Sequence, residues 1–229
     1  MAMKLELQHI NKKYEDLEIF NDFSMSFVPG NINCILGPSG CGKTTLLNIL
    51  NGSVQADSGN YADFTTLRSS YVFQEPRLLP WKTVKENIAF VLKEKFDETE
   101  IQHRLNEYLS IVQLEKFADY YPSALSGGMK QRVSLARAFA FDYDIMLLDE
   151  PFKALDNKLK NHLIEEFLTL WEKDKKTLIF VTHDVDEALQ IGHHLYIFSN
   201  PPVQMTEHFL IPDSQEKKDV LRKMLLAKI

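Results

Sequence analysis

Hydrophobic and polar positions alternate along the first part of the chain. Leu5 and Leu7 have charged or polar neighbours, as do Phe23, Met25 and Phe27, so residues 3–28 read as antiparallel strands. Tyr14 falls between those strands, and Val28-Pro29-Gly30-Asn31 makes a turn. The pattern then changes to a short, largely apolar run, Ile32-Asn33-Cys34-Ile35-Leu36, with the length of a buried strand; Leu46-Leu47-Asn48-Ile49-Leu50 reads as a helix. Residues 51–60 carry turn chemistry and lead to a short strand over 70–74. From Thr83 to about Pro122 the pattern is helical, with Ile101, Leu105, Tyr108, Leu109 and Val112 at three- and four-residue steps. After an interruption at 120–123, a helix beyond Gly128 is expected to bury Met129, Val133, Ala136 and Ala140.

The rest of the chain alternates. An apolar strand over 144–149 ends in acid, and a helix with Leu159, Leu163, Phe167, Leu170 and Trp171 follows. A strand over 177–181 precedes Thr182-His183-Asp184, which opens another helix; a strand over 195–198 and a terminal helix over 219–228 complete the pattern. Strands alternating with helices predict an α/β fold with a mostly parallel sheet.

Composition narrows the class without choosing a function. A chain of 229 residues, 45% apolar and 25% charged, can bury one substantial core with a smaller lobe attached. The net charge is −6 and no basic block exceeds a few residues, so nucleic acid is not an expected partner. The two cysteines, Cys34 and Cys41, belong to no metal-spaced cluster, which fits a reducing cytoplasm. Residues 1–10 lack a signal-peptide core, and no apolar run approaches the ~20 residues of a membrane span.

The most specific chemistry lies between the first buried strand and its helix, in Gly37-Pro38-Ser39-Gly40-Cys41-Gly42-Lys43-Thr44-Thr45. Strand, glycine loop and helix together make a phosphate-binding P-loop, in which backbone N–H groups and the helix dipole face anionic oxygens. Lys43 can reach the β- and γ-phosphates of a nucleotide, and the Thr44 hydroxyl can hold Mg²⁺. Other expected strand ends supply Gln74, Asp149-Glu150 and His183, and ligand groups gather at such ends in open α/β sheets. Asp149 suits Mg²⁺, and Glu150 suits proton abstraction from water, with Pro151 biasing Glu150 toward extended geometry. Taken singly, the acidic pair is an ordinary strand-closing turn, Gln74 a surface residue and His183 a structural one. The adjacent His193-His194 pair reads as structural.

Ser126-Gly127-Gly128 at a helix start is a second anion site, or else a flexible turn with an ordinary cap. One P-loop leaves no second nucleotide for it within the chain. Closed two-fold pairing, with this helix capping the nucleotide of another copy, accounts for both features.

In this order, the motifs resemble those of the ATP-binding cassette (ABC) ATPases over residues 3–201. Walker A is 37–44, the Q-loop glutamine Gln74, the signature Leu125-Ser126-Gly127-Gly128-Met129-Lys130-Gln131, Walker B ends in Asp149-Glu150, the D-loop reads Ala154-Leu155-Asp156, and the switch histidine is His183. The resemblance implies a single domain of P-loop NTPase type over 1–229. It has a RecA-like core, an antiparallel β-subdomain, a helical subdomain over about 83–128 and a short extension over 201–229. It further implies that Tyr14 stacks on adenine and that residues 37–45 hold ATP. Thr44, Gln74 and Asp149 serve Mg²⁺, and Glu150, His183 and Gln74 are catalytic. Ser126, Gly127, Gly128 and Asp156 meet nucleotide across a head-to-tail homodimer.

Met129 and Lys153 depart from the family's usual residues at those positions. Phe73-Gln74-Glu75-Pro76-Arg77-Leu78-Leu79-Pro80-Trp81, followed by Thr83-Val84 and Asn87, is similar to the ATPases of nitrate, sulfonate, taurine and thiamine-precursor importers. That likeness implies a membrane permease as partner, indirectly an extracytoplasmic solute-binding protein, and a place on the cytoplasmic face of a bacterial-type membrane. It also implies a small anionic or heterocyclic solute. The rival readings are a soluble ABC clamp in DNA repair or translation, and a P-loop kinase. The first usually carries long insertions or a second cassette; the second needs an acceptor site and an arginine-bearing lid.

Overall fold

A computed structural model describes residues 5–93, 95–153 and 155–227; Ala154 of the expected D-loop lies outside the described residues. In chain order its elements are β1 (Leu5–Tyr14), β2 (Leu17–Phe27), β3 (Ile32–Leu36), α1 (Lys43–Leu50), β4 (Ser58–Asn60), α2 (Ala62–Thr65) and β5 (Ser69–Val72). There follow α3 (Val84–Ala89), α4 (Glu98–Ile111), α5 (Gly127–Ala140), β6 (Ile145–Asp149), α6 (Asn157–Asp174) and β7 (Thr177–Thr182). The last elements are α7 (Val185–Ile191), β8 (His194–Phe198), β9 (Met205–Leu210) and α8 (Gln215–Leu226). The chain divides into two compact units, one of residues 1–69, 144–150 and 175–229, the other of 70–143 and 151–174.

In the first unit, β2-β1-β4 form an antiparallel sheet and β6, β7, β3, β8 and β9 lie side by side in that order. Neighbours among β6, β7, β3 and β8 are parallel; β9 runs antiparallel to β8. The three inner strands β6, β7 and β3 are buried at every position, as continuous apolar runs covered on both faces should be. Polar residues stand otherwise only at strand ends (Asp149, Thr177, Thr182); Asn33 lies within its strand, and it is fully buried. Its amide donates to the carbonyls of Val28, Asn31 and Leu178, while its oxygen accepts from Val28 N–H and the Tyr196 hydroxyl. One side chain thereby fixes the turn before β3 and both of that strand's neighbours.

In the second unit, α3, α4 and α5 pack around Val84, Ile88, Leu92, Leu105, Leu109 and Val133. The start of α3 is a capping box: Glu86 N–H donates to the Thr83 hydroxyl and Thr83 N–H to the Glu86 carboxylate. This unit takes in more chain than the helical subdomain expected over 83–128, because residues 151–174 belong to it.

Several expectations need correcting. Tyr14 is the last residue of β1, paired with Leu17, and does not lie between strands. The stretch 51–60 holds a short strand, β4, whose residues Ser58-Gly59-Asn60 have no apolar side chain to signal it. The strand expected over 70–74 is Ser69–Val72, so Gln74 lies in the loop beyond it. The terminal helix begins at Gln215, four residues before Asp219. β9 was not anticipated: it is an edge strand in which no residue is fully buried, so its sequence carries little alternation. His193 is structural as expected, its ring nitrogen accepting from Ile32 N–H at 3.1 Å, and His194 meets His208 at 3.2 Å.

Asn33→Leu keeps the branched outline with a larger volume and removes the side-chain partner of the Val28 N–H, the Tyr196 hydroxyl and three carbonyls. The expected loss of unfolding free energy in urea is about 2–4 kcal/mol, against about 1 kcal/mol for Tyr196→Phe, which removes a single hydrogen bond.

Candidate active site

β3 and α1 are joined by a loop whose shape depends on glycine. Gly42 has φ 111°, and a Cβ there would lie 2.6 Å from Ile19 Cγ2 in β2, so both backbone and space exclude a side chain. Gly42 is also the N-cap of α1, and no side chain caps that helix, whereas Thr83, Asp97, Ser126 and Asp184 cap α3, α4, α5 and α7. The orphan N–H groups of the first turn therefore remain for an anion. Lys43 is 5% exposed; its ammonium donates to the carbonyls of Gly37 and Pro38, each at 2.8 Å. Ser39, Gly40 and Thr44 are exposed, Pro38 and Thr45 half-buried, and Gly37 and Cys41 buried. Burial pushes the Cys41 thiol above its ordinary pKa, with the Lys43 charge acting against that shift. Cys34, beneath it in β3, is pushed up further by complete burial and by Glu187.

α1 packs against β6, whose end presents Asp149 and then Glu150, both buried. The parallel register sets Asp149 opposite Val181, so the residues just past the ends of β6 and β7 become neighbours. Glu150 Oε1 is 3.2 Å from His183 Nδ1; the carboxylate is 9% exposed and the imidazole 46%. Glu150 has φ 45°, not the extended geometry expected before proline. Pro151 disfavours right-handed α without choosing among the remaining regions, and the hydrogen bond from Glu150 N–H to Val181 O, 3.0 Å, makes the choice. Such a conformation costs about 1–3 kcal/mol and characteristically persists at functional sites. Beyond His183, Thr182 donates to Glu187 at 2.7 Å, and Asp184 accepts from Asp186 and Glu187 N–H to start α7. That network holds the histidine loop. The sequence reading did not single out Thr182 or Glu187 for it, although the five-residue spacing of a hydroxyl and a carboxylate around a helix start was a signal.

Tyr14 also belongs to the first unit. Its ring is 43% exposed, with the Lys12 ammonium 5.1 Å from the centroid. The first unit thus holds Tyr14, the residues 37–45, Asp149, Glu150 and His183, of which Glu150 and His183 are in direct contact. The remaining expected residues, Gln74, Ser126, Gly127, Gly128 and Asp156, belong to the second unit. Gln74 is exposed in the loop after β5. Asp156 is exposed and accepts from Leu159 N–H at 3.0 Å, starting α6.

Ser126 caps α5 by accepting from Met129 N–H at 3.3 Å. The two glycines after it differ. A Cβ on Gly127 would meet nothing within 4 Å, whereas one on Gly128 would lie 2.6 Å from Leu159 Cδ2. Gly128 is required by the packing of α5 on α6; Gly127 is not required by packing at all. Accordingly, Gly128→Ala should lower stability in urea by about 1–2 kcal/mol, while Gly127→Ala should stay within about 0.5 kcal/mol of the parent.

Comparison with known proteins agrees with this geometry. The family model described as ABC transporter matches residues 20–153. The aliphatic sulfonates import ATP-binding protein SsuB of Bacillus subtilis (strain 168) is 39% identical over 201 residues, covering 85% of this chain and 77% of that protein. The sulfate/thiosulfate import ATP-binding protein CysA 1 of Chromobacterium violaceum is 39% identical over 216 residues, covering 88% and 60%. Among solved structures, the dimeric bacterial ABC transporter cassette MJ0796 superposes with a TM-score of 0.79 at 28% identity, over 91% of this chain and 99% of that one. Its post-hydrolysis state bound to ADP and Pi gives 0.77 at 29%. The α/β fold with a glycine loop, the acidic strand end with its histidine, and these likenesses together establish that the chain belongs to the ABC transporter family as an ATP-binding, ATP-hydrolysing cassette.

Proposed function

We propose that the chain is the ATPase subunit of a bacterial-type importer for a small anionic solute, working as a head-to-tail homodimer on the cytoplasmic face beneath a separate permease. The relatives named for sulfonate and for sulfate or thiosulfate import support that solute class. The dimeric cassettes among its structural neighbours support the assembly. Among the described residues no helix is long and apolar enough to cross a membrane, so the proposal assigns the translocation path to the permease. An extracytoplasmic binding protein would deliver the solute to it.

The observation that carries the reading is the Glu150–His183 pair beside Asp149, at the edge of the unit that holds the glycine loop. Lys43 and the uncapped N–H groups of α1 bind the β- and γ-phosphates, and the Tyr14 ring stacks on adenine. The exposed Thr44 hydroxyl and the Asp149 carboxylate are hard-oxygen donors of the kind Mg²⁺ prefers, and would hold it. Bound Mg²⁺ would neutralise charge on the transferred phosphoryl group. Glu150, held by His183, takes a proton from the attacking water as its oxygen bonds to the γ-phosphorus and the bond to ADP breaks. Ser126, Gly127 and Gly128, with Asp156 nearby in sequence, close the phosphate site from the second copy. Since the packing of Gly128 explains that residue by itself, the burden of contact falls on Ser126 and Gly127.

On the other unit, Trp81 is 69% exposed, and Phe90, Tyr120 and Tyr121 are exposed as well. Exposed aromatic residues of this kind suit contact with a helix from the permease.

The test is Glu150→Gln. It should bind ATP, hydrolyse it at least about a hundredfold more slowly, and run as a dimer in ATP by light scattering where the parent returns to monomer after turnover. Turnover at the parental rate would remove the general-base assignment. A strictly monomeric ATP-loaded variant, with and without the permease, would remove the dimer. Stimulation of the parent by nucleic acid or ribosomes in place of a permease would point to the soluble-clamp class.

A further inference from the structure

The loop that carries Gln74 is unusually well restrained for an exposed segment. Before Gln74, the Phe73 ring stacks on Tyr71, with centroids 4.2 Å apart. After it, the Arg77 guanidinium folds back over the same Phe73 ring, 3.8 Å from its centroid. Gln74 and Glu75 are therefore the crest of a short arch closed by a cation–π contact. The arch is fastened at Arg77, whose carbonyl accepts from Arg137 Nη2 at 2.8 Å. Farther on, fully buried Asn87 accepts from Leu79 N–H and donates to the carbonyls of Leu79, Lys82 and Thr83. Arg137 lies in the last turn of α5, the helix whose N-cap is Ser126. Its pKa is pushed down by burial, so its charge is held at a desolvation cost that the carbonyl contact offsets.

We infer that Arg137 is a positioning residue for Gln74: with the Arg77–Phe73 clasp it sets the crest of the loop and ties that crest to the signature helix α5. The inference rests on the reading of Gln74 as part of the hydrolytic machinery. Arg137 touches neither nucleotide nor reacting atoms in this account; it acts through the Arg77 carbonyl, and so through the backbone that presents the glutamine. Lysine at 137 keeps the charge but loses the planar fork aimed at that carbonyl. Methionine at 77 removes the cation–π contact and leaves the backbone hydrogen bond in place.

The experiment is a double-mutant cycle on the steady-state ATPase of the homodimer, with melting temperatures recorded alongside. Arg137→Lys should lower kcat about tenfold and Arg77→Met about threefold, each with the KM for ATP within about twofold of the parent. In a Gln74→Ala background the same two substitutions should change kcat by less than about twofold, because the group they position is gone. A role confined to fold stability would instead multiply the losses in the double variants or lower melting in step with activity. Either result overturns the inference, as does an unchanged kcat in both single variants. If Arg137→Lys does not fold, Arg77→Met, on an exposed side chain, reads the same cycle. Glu150→Gln separates the two claims. Turnover that does not depend on Glu150 sinks the proposed function, whereas Glu150-dependent turnover with independent effects at 137 and 74 sinks only this inference.

Discussion

A buried ammonium is the constraint from which the first unit follows. Placing Lys43 in the interior costs several kcal/mol unless its protons are met, and two loop carbonyls at 2.8 Å meet two of them. Those carbonyls, from Gly37 and Pro38, converge only if the chain doubles back between β3 and α1, which the left-handed Gly42 permits. The same turn delivers the start of α1 with no side chain over its N–H groups. Positive charge, orphan donors and helix dipole are thus consequences of one backbone path. That path is anchored by β3, and β3 by the five hydrogen bonds of Asn33. A polar residue inside a buried parallel strand is tolerated because every group it brings is satisfied.

The opposite charge is built by a different device. Asp149 and Glu150 follow an apolar strand, and the register of β6 with β7 brings His183 to Glu150 from a position 33 residues later. The carboxylate is almost enclosed and its imidazole partner half in solvent, so Glu150 sits where electrostatic interactions are strong while His183 remains accessible. The positive φ of Glu150 shows local backbone preference overruled by a strand-end hydrogen bond. Thr182, Glu187 and Asp184 then brace the loop through hydrogen bonds among themselves and the start of α7, leaving His183 free of the helix.

What the residues revealed in advance depended on whether an element was fixed by local or by distant physics. β3, β6 and β7 were legible because strands covered on both faces must be apolar without interruption. The glycine loop was legible because its chemistry needs particular residues at particular steps. β9 was not, since an exposed edge strand places few demands on its side chains, and β4 was not, since three small polar residues carry no apolar pattern. The proline argument at Glu150 failed because it weighed a neighbour-residue clash without the ladder hydrogen bond. The two glycines of the signature looked equivalent in sequence and are not, because only one faces Leu159. Motif spacing names such residues but cannot separate a packing requirement from a contact requirement.

The second unit shows how one helix can serve two loops. α5 has 14 residues, so its ends lie about 21 Å apart, and an α-helix of that length bends little along its axis. At its start, Ser126 has its oxygen committed to Met129 N–H, which leaves the hydroxyl proton to be donated outward beside the open space at Gly127. Near its end, Arg137 grips the backbone three residues past Gln74. Between these points Val133 and Ala136 are fully buried, so the helix cannot slide on its neighbours without opening the core. A displacement imposed on the glutamine loop therefore has two outlets: rupture of a charge-assisted hydrogen bond at a half-buried guanidinium, or movement of α5 together with the helices packed on it, the serine at its far end included. The first removes a partner from a partly desolvated cation, which costs free energy. The second keeps the core around Val133 and Ala136 closed, and for that reason the backbone just past Gln74 and the serine at the start of α5 are mechanically linked through one helix.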